Sequence, residues 1–130
     1  MMAVATRLDN RLVRALHEGA EALPGDLAEL RAYLRLIEAL LTEKAAELEP
    51  SWQQACAAAA EITTLQTLEI TVAERAIAVR AKTLAEVRAK LAIWRALGPG
   101  AQDGDMRTPR NRLILSIEAD LERLSRADRR

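Results

Sequence analysis

Few side chains in this chain could do chemistry by type and spacing: a cluster of cations, one histidine, one cysteine, a pair of glutamates and three closely spaced glycines. Arg88, Lys90 and Arg95 fall on one predicted helix, and Arg107, Arg110 and Arg112 lead into the next. Together they are a candidate basic patch able to contact phosphates, and the chemistry would be nucleic-acid binding. A zero net charge, an interhelix loop too long for a helix-turn-helix and the lack of interleaved aromatics stand against it. The sole histidine, His17, sits beside Glu18 on the polar side of the first helix, which reads as a solvated surface group rather than a general base. Cys56 lies among alanines, the setting of a small core residue rather than a nucleophile. Glu43 and Glu47, four apart, can point one way, but a solvated helix face explains them, and the chain has no Glu-x-x-His of the kind di-iron bundles use. Gly98, Gly100 and Gly104 precede aspartate rather than lysine, so no phosphate-cradling loop forms there. The expectation is a protein with no catalytic residue, no metal ligand and no cofactor site, and therefore not an enzyme.

The elements that must carry these side chains are legible because all nine glycines and prolines fall in three places. Gly19, Pro24 and Gly25 form the first cluster, Pro50 stands alone, and Gly98, Pro99, Gly100, Gly104 and Pro109 form the last. The 47 residues from Ser51 to Leu97 hold no strong breaker, too long a run for a structureless loop. Half the residues are apolar, but 26 are Ala and 20 are Leu, and only Tyr33, Trp52 and Trp94 are aromatic. That bias favours helix over strand and makes a thin core, since burying a methyl removes little apolar surface. The 130 residues fit one helical domain spanning residues 1–130, completed by self-association.

The spacing predicts a first helix from Thr6 to Glu21, with Leu8, Leu12, Ala15, Leu16 and Leu23 on one side and Arg7, Arg11 and Arg14 on the other. A second helix begins at an Asp26 cap with Glu29 three residues on. Its Leu27, Leu30, Leu34, Ile37, Leu41 and Leu48 follow heptad steps, interrupted by Lys44, and are the candidate interface. Tyr33, Leu36 and Leu40 widen that arc, so the helix should touch more than one neighbour. Pro50 ends it, and Ser51 with Gln54 restarts the chain. The third helix carries two stripes, Leu65, Leu68, Val72, Ala76 and Val79, then Ile70, Ala73 and Ile77, which makes it central. Thr63, Thr64, Thr67 and Thr71 alternate with apolar residues almost as a strand would, yet no turn signal brackets them and helix is the reading. Thr83 with Glu86 is a further capping box, placing a break at residues 80–83 and a helix with Leu84, Val87, Leu91 and Trp94 in heptad steps. One continuous helix from Ser51 to Leu97 is the competing arrangement. Residues 98–108 read as a flexible loop, and a last helix from Pro109 or Arg110 to Ala127 places Ile114, Ile117, Leu121 and Leu124 on one face with Leu113 beside them.

The stretch AVRAKTLAEVRAKLAIW from Ala78 to Trp94, with the later RLILSIEADLERL, resembles a set of short uncharacterised Ala- and Arg-rich helical proteins of GC-rich bacterial genomes. Thr83, Leu84, Ala85, Ala89, Lys90, Asp120 and Leu121 match, while Glu86 stands where glycine is frequent. The resemblance implies a helix start at Thr83 and brings no function with it.

Charge is segregated although the total is zero: residues 18–74 hold 11 acids against Arg31, Arg35 and Lys44, a net of −8, and residues 75–112 hold nine bases against Glu86, Asp103 and Asp105, a net of +6. Opposite blocks of this kind are satisfied by packing on each other. The lone cysteine excludes an internal disulfide, Arg7 and Asp9 interrupt any signal-like run at the start, and no apolar stretch is long enough to span a bilayer, so the expectation is a cytoplasmic protein without membrane attachment. The sequence therefore predicts an all-α antiparallel bundle of four or five helices, one running from about 51 to 80. Its expected role is that of a non-catalytic interaction protein binding itself or another helical protein, with a nucleic-acid-associated accessory protein as the alternative.

Overall fold

A computed structural model describes residues 9–46, 52–97 and 107–128, and among these it contains five α-helices and no strand. They are α1 (Asn10–Glu18), α2 (Leu27–Ala45), α3 (Trp52–Ala78), α4 (Leu84–Leu97) and α5 (Pro109–Asp128), with a 3-10 turn at Ala20–Ala22. The Thr6 start, Leu8, Glu47, Leu48, the Pro50–Ser51 junction and loop residues 98–106 lie outside the described residues.

Local chemistry sets the ends. Asp9 caps α1, its carboxylate accepting from the Arg11 N–H at 2.8 Å. Gly19 closes the helix with φ at 93°, a conformation only glycine adopts without strain, so α1 stops short of the expected Glu21. Asp26 caps α2 as expected, accepting from Ala28 N at 2.9 Å and Glu29 N at 3.4 Å. The predicted break is present: α3 ends at Ala78 and α4 begins at Leu84. Thr83 Oγ1 accepts from Glu86 N at 3.1 Å, and the Glu86 carboxylate reaches back to Lys82 N at 2.7 Å, a capping box shifted by one residue on its return arm. Thr108 caps α5 through Asn111 N at 3.2 Å, directly ahead of Pro109. The threonine-rich middle of α3 is helical because each hydroxyl folds back onto the carbonyl four residues earlier: Thr63 to Ala59, Thr64 to Ala60, Thr67 to Thr63 and Thr71 to Thr67, at 2.8–3.2 Å.

The helices pair antiparallel. Lys44 near the end of α2 meets Glu61 near the start of α3 at 3.1 Å, and Arg75 near the end of α3 donates to the Pro24 carbonyl just ahead of α2 at 3.4 Å. The second pair is α4 with α5, joined by Trp94 against Arg110 at one end and by Arg123 on the Ala81 carbonyl at the other. One apolar cluster runs through all of them, from Leu12 and Ala15 of α1 through Leu65, Leu68 and Val72 of α3 to Ile93 of α4 and Leu113 of α5. Burying leucine and isoleucine there supplies roughly 1.5–3 kcal/mol per side chain before entropy is counted.

Four stripes are corrected by the packing. On α2 the buried line is Leu27, Leu30, Leu34, Ile37, Leu40 and Lys44. Leu40 replaces Leu41, which is half-buried, because α2 faces both α3 and α4 and its buried arc turns toward α3 in its C-terminal half. On α4, Val87, Ala89, Lys90 and Ile93 are buried while Leu84 is 63 % exposed. On α5 the inward line is Leu113, Ile117 and Asp120, with Leu124 half-buried, and Leu121 is 44 % exposed. Ile70, expected in the second stripe of α3, is also exposed.

Candidate functional site

The apolar spacing of α4 runs Val87, Lys90, Trp94, and that of α5 runs Leu113, Ile117, Asp120, Leu124. Each helix thus carries one charge at a position that its period turns inward. Antiparallel pairing brings the two together. The Lys90 Nζ, fully buried, donates to Asp120 Oδ2 at 2.6 Å and to Ser116 Oγ at 2.7 Å. Asp120 Oδ1 accepts from Arg123 at 2.8 Å, and the same Arg123 nitrogen reaches the Ala81 carbonyl at 2.6 Å, tying the α3–α4 connection to α5. Burial pushes the Asp120 carboxyl up, but hydrogen bonds from Lys90 and Arg123, the Lys90 charge and the Ala81 backbone outweigh it and hold the group below the usual aspartate value. Two cations share one carboxylate, so the cluster keeps a surplus positive charge on Arg123, which is the member that reaches solvent.

Serine beside lysine invites comparison with nucleophilic dyads, in which the amine takes the hydroxyl proton. Here the polarity is reversed. Lys90 donates both to Ser116 Oγ and to the Asp120 carboxylate, while the Ser116 hydroxyl donates to the Ile77 carbonyl at 3.3 Å. The arrangement can position Arg123 and lock α3, α4 and α5 together, but Lys90 offers Ser116 no base.

Above this centre, Ile77, Val79 and Arg80 face Arg112, Leu115, Ala119 and Arg123 of α5 across an open groove of about 510 Å³. A second hollow of about 540 Å³ shares Arg80, Ala119 and Arg123 and continues along α5 to Glu122 and Arg126. A smaller crevice of about 260 Å³ lies between α2 and α4, among Arg31, Arg35, Glu38 and Arg95.

The six cations grouped by sequence are divided by the fold. Lys90 is in the core, which corrects its placement on a surface patch: a buried counter-charge on the facing helix made an inward lysine tolerable. Arg110 lies over the Trp94 ring, 4.3 Å from its centroid. Arg88, Arg95, Arg107 and Arg112 are exposed. Of the candidate interface, Leu27, Leu30, Leu34 and Ile37 are at most 2 % exposed and are consumed inside the chain, Leu41 is half-buried, and Leu48 is outside the described residues. Cys56 is exposed rather than in the core, because, of the run Ala57 to Ala60 that follows it on α3, only Ala58 turns inward. His17 is exposed, as expected, and Glu43 is exposed as well. Among the described residues no group of three or more His, Cys, Asp or Glu could hold a metal ion, and no helix is long and apolar enough to cross a membrane.

Sequence reasoning missed Asp120, Ser116, Arg123 and Arg80. The usable signal was opposite charge at inward-spaced positions of consecutive helices, Lys90 and Asp120. No family model matches the chain, and no similar protein was found among curated proteins or solved structures.

Proposed function

We propose that this chain is a non-catalytic helical interaction protein whose partner is another helical surface, first of all a second copy of itself. The observation that carries the reading is the exposure of Leu84 and Leu121, 63 % and 44 %, at the same end of the α4–α5 pair. Large apolar side chains on a helix surface that the chain's own core does not use are the raw material of helix-to-helix association. Their helices are also tied together by the Lys90–Asp120 ion pair, which Arg123 extends along α5. A rigid face costs less ordering entropy on association than a mobile one. The polar groups closest to a nucleophilic constellation are committed to structure, which supports a binding role over a chemical one.

The test is sedimentation equilibrium of the wild type and of the Leu84→Glu/Leu121→Glu double variant. The expected result is a dimer for the wild type at about 10–100 µM, a modest affinity for an interface of ordinary size, and a monomer for the variant with an unchanged helical spectrum. A wild type that stays monomeric through that range removes self-association, and an unchanged dimer in the variant removes this face.

A further inference from the structure

We propose that the groove between the end of α3 and the outer side of α5 is a binding site for a phosphate-bearing small molecule. Four guanidinium side chains, Arg80, Arg112, Arg123 and Arg126, line the two joined hollows, against the carboxylates of Asp120 and Glu122. Their states differ in a way that suits a ligand. Arg123 is held in place by Asp120 and the Ala81 carbonyl, so its remaining donors are presented in a fixed direction. Arg126 is paired with Glu122 at 2.6 Å. The side chains of Arg80 and Arg112 have no hydrogen bond or ion pair with any described residue, and they stand on opposite walls, one in the α3–α4 connection and one in the first turns of α5.

Beneath them, Lys90 adds a buried positive charge that Asp120, shared with Arg123, neutralises only in part. A phosphate is the group that such a cleft selects. Planar guanidinium forks bind its oxygens two at a time, and a multiply charged anion answers the surplus of cations better than a single carboxylate does. The walls are mixed, with Ile77, Val79 and Leu115 beside the arginines, so there is apolar surface for the organic body that carries the phosphate. A groove of about 510 Å³ is on the scale of small-ligand sites. The two proposals fail separately, because the groove is tested at Arg80 and Arg112 and the association at Leu84 and Leu121.

The experiment is isothermal titration of the full chain with sodium pyrophosphate and with ADP, both without added metal, in low salt. The wild type is expected to bind pyrophosphate with Kd on the order of 0.1–1 mM, and ADP at least as tightly because its nucleoside meets the apolar wall. Arg80→Ala/Arg112→Ala removes two exposed side chains that bond no described residue and is expected to melt like the wild type while weakening both probes about tenfold or more. Arg31→Ala/Arg35→Ala, on the α2–α4 crevice, loses the same charge elsewhere and is expected to change binding by no more than about twofold, the reach of screened surface charge. The proposal is overturned if the wild type takes up neither probe, if the two double variants lose affinity equally, or if ADP binds more weakly than pyrophosphate. Binding of a single-stranded oligonucleotide without binding of pyrophosphate overturns it too, in favour of a nucleic-acid surface.

Discussion

Lys44 and Lys90 hold matching places in their helices, yet the fold treats them differently. Each stands at an inward-spaced position, each is removed from water, and each meets a carboxylate from the next helix. Around Lys90 the site is closed: Asp120 is almost as buried as the lysine, Ser116 accepts a second proton, and Arg123 binds the far side of the carboxylate. Around Lys44 the site is open, since the Glu61 side chain is 29 % exposed and keeps access to water. The contrast leads us to expect that the solvation left to the partner, and not inward placement alone, sets the energetic weight of each charge.

Removing Asp120 should break this contrast most severely. Asp120→Asn leaves the Lys90 ammonium buried without a counter-charge and is expected to cost about 3–5 kcal/mol in urea unfolding. Lys90→Met should cost clearly less, because Arg123 still neutralises Asp120, and Lys90→Met/Asp120→Leu should recover much of the loss. Equal losses for the two single variants would show that the surplus positive charge has no energetic meaning.

Acid sharpens the same point. The folded Asp120 carboxyl lies below its ordinary value of 3.8, so its stabilisation is complete above that pH and is lost as pH falls through the folded value. Melting temperature should fall on that acid limb in the wild type, and the part of the fall due to this group should be missing in Asp120→Asn.

Lys44→Met is expected to change stability by less than about 1 kcal/mol in either direction, since an apolar side chain fits an inward position and the partner left behind stays hydrated. A loss as large as that of Asp120→Asn would place the two lysines in one class after all. Glu69 supplies the smallest effect, with opposite sign. Burial, and next the charge of Glu38, push its carboxyl above the ordinary 4.5, so the ionised group opposes folding once pH rises past that value. Glu69→Gln should therefore raise stability near neutral pH by no more than about 0.5 kcal/mol, and the gain should vanish in acid, as paired melts at the two pH values would show.

Helix existence was legible because breakers and caps act locally. Asp26, Thr83 and Pro109 marked their helix starts through bonds within a few residues, whereas the positive φ of Gly19, which stops α1, was passed over for an end at Glu21. The threonine segment read correctly for a related reason: its hydroxyls bond within their own helix. The faces were less legible. Leu121 and Leu84 fit an apolar period as well as the residues that are buried, and Cys56 looked like a core residue from its alanine neighbours. The candidate site was nearly invisible, because a rule that sends charges outward sends Lys90 and Asp120 to the surface, and only their mutual contact reverses it.

The sequence by itself determined where the chain is helical and where it turns, since propensity, capping and the placement of glycine and proline depend on near neighbours alone. Tertiary structure decided which face of each helix lies inside, that a lysine belongs in the core, and that Arg80 and Arg112 share a groove. Those outcomes depend on what the opposite helix presents, at separations of 30 residues or so along the chain, and no local period encodes the charge that waits there.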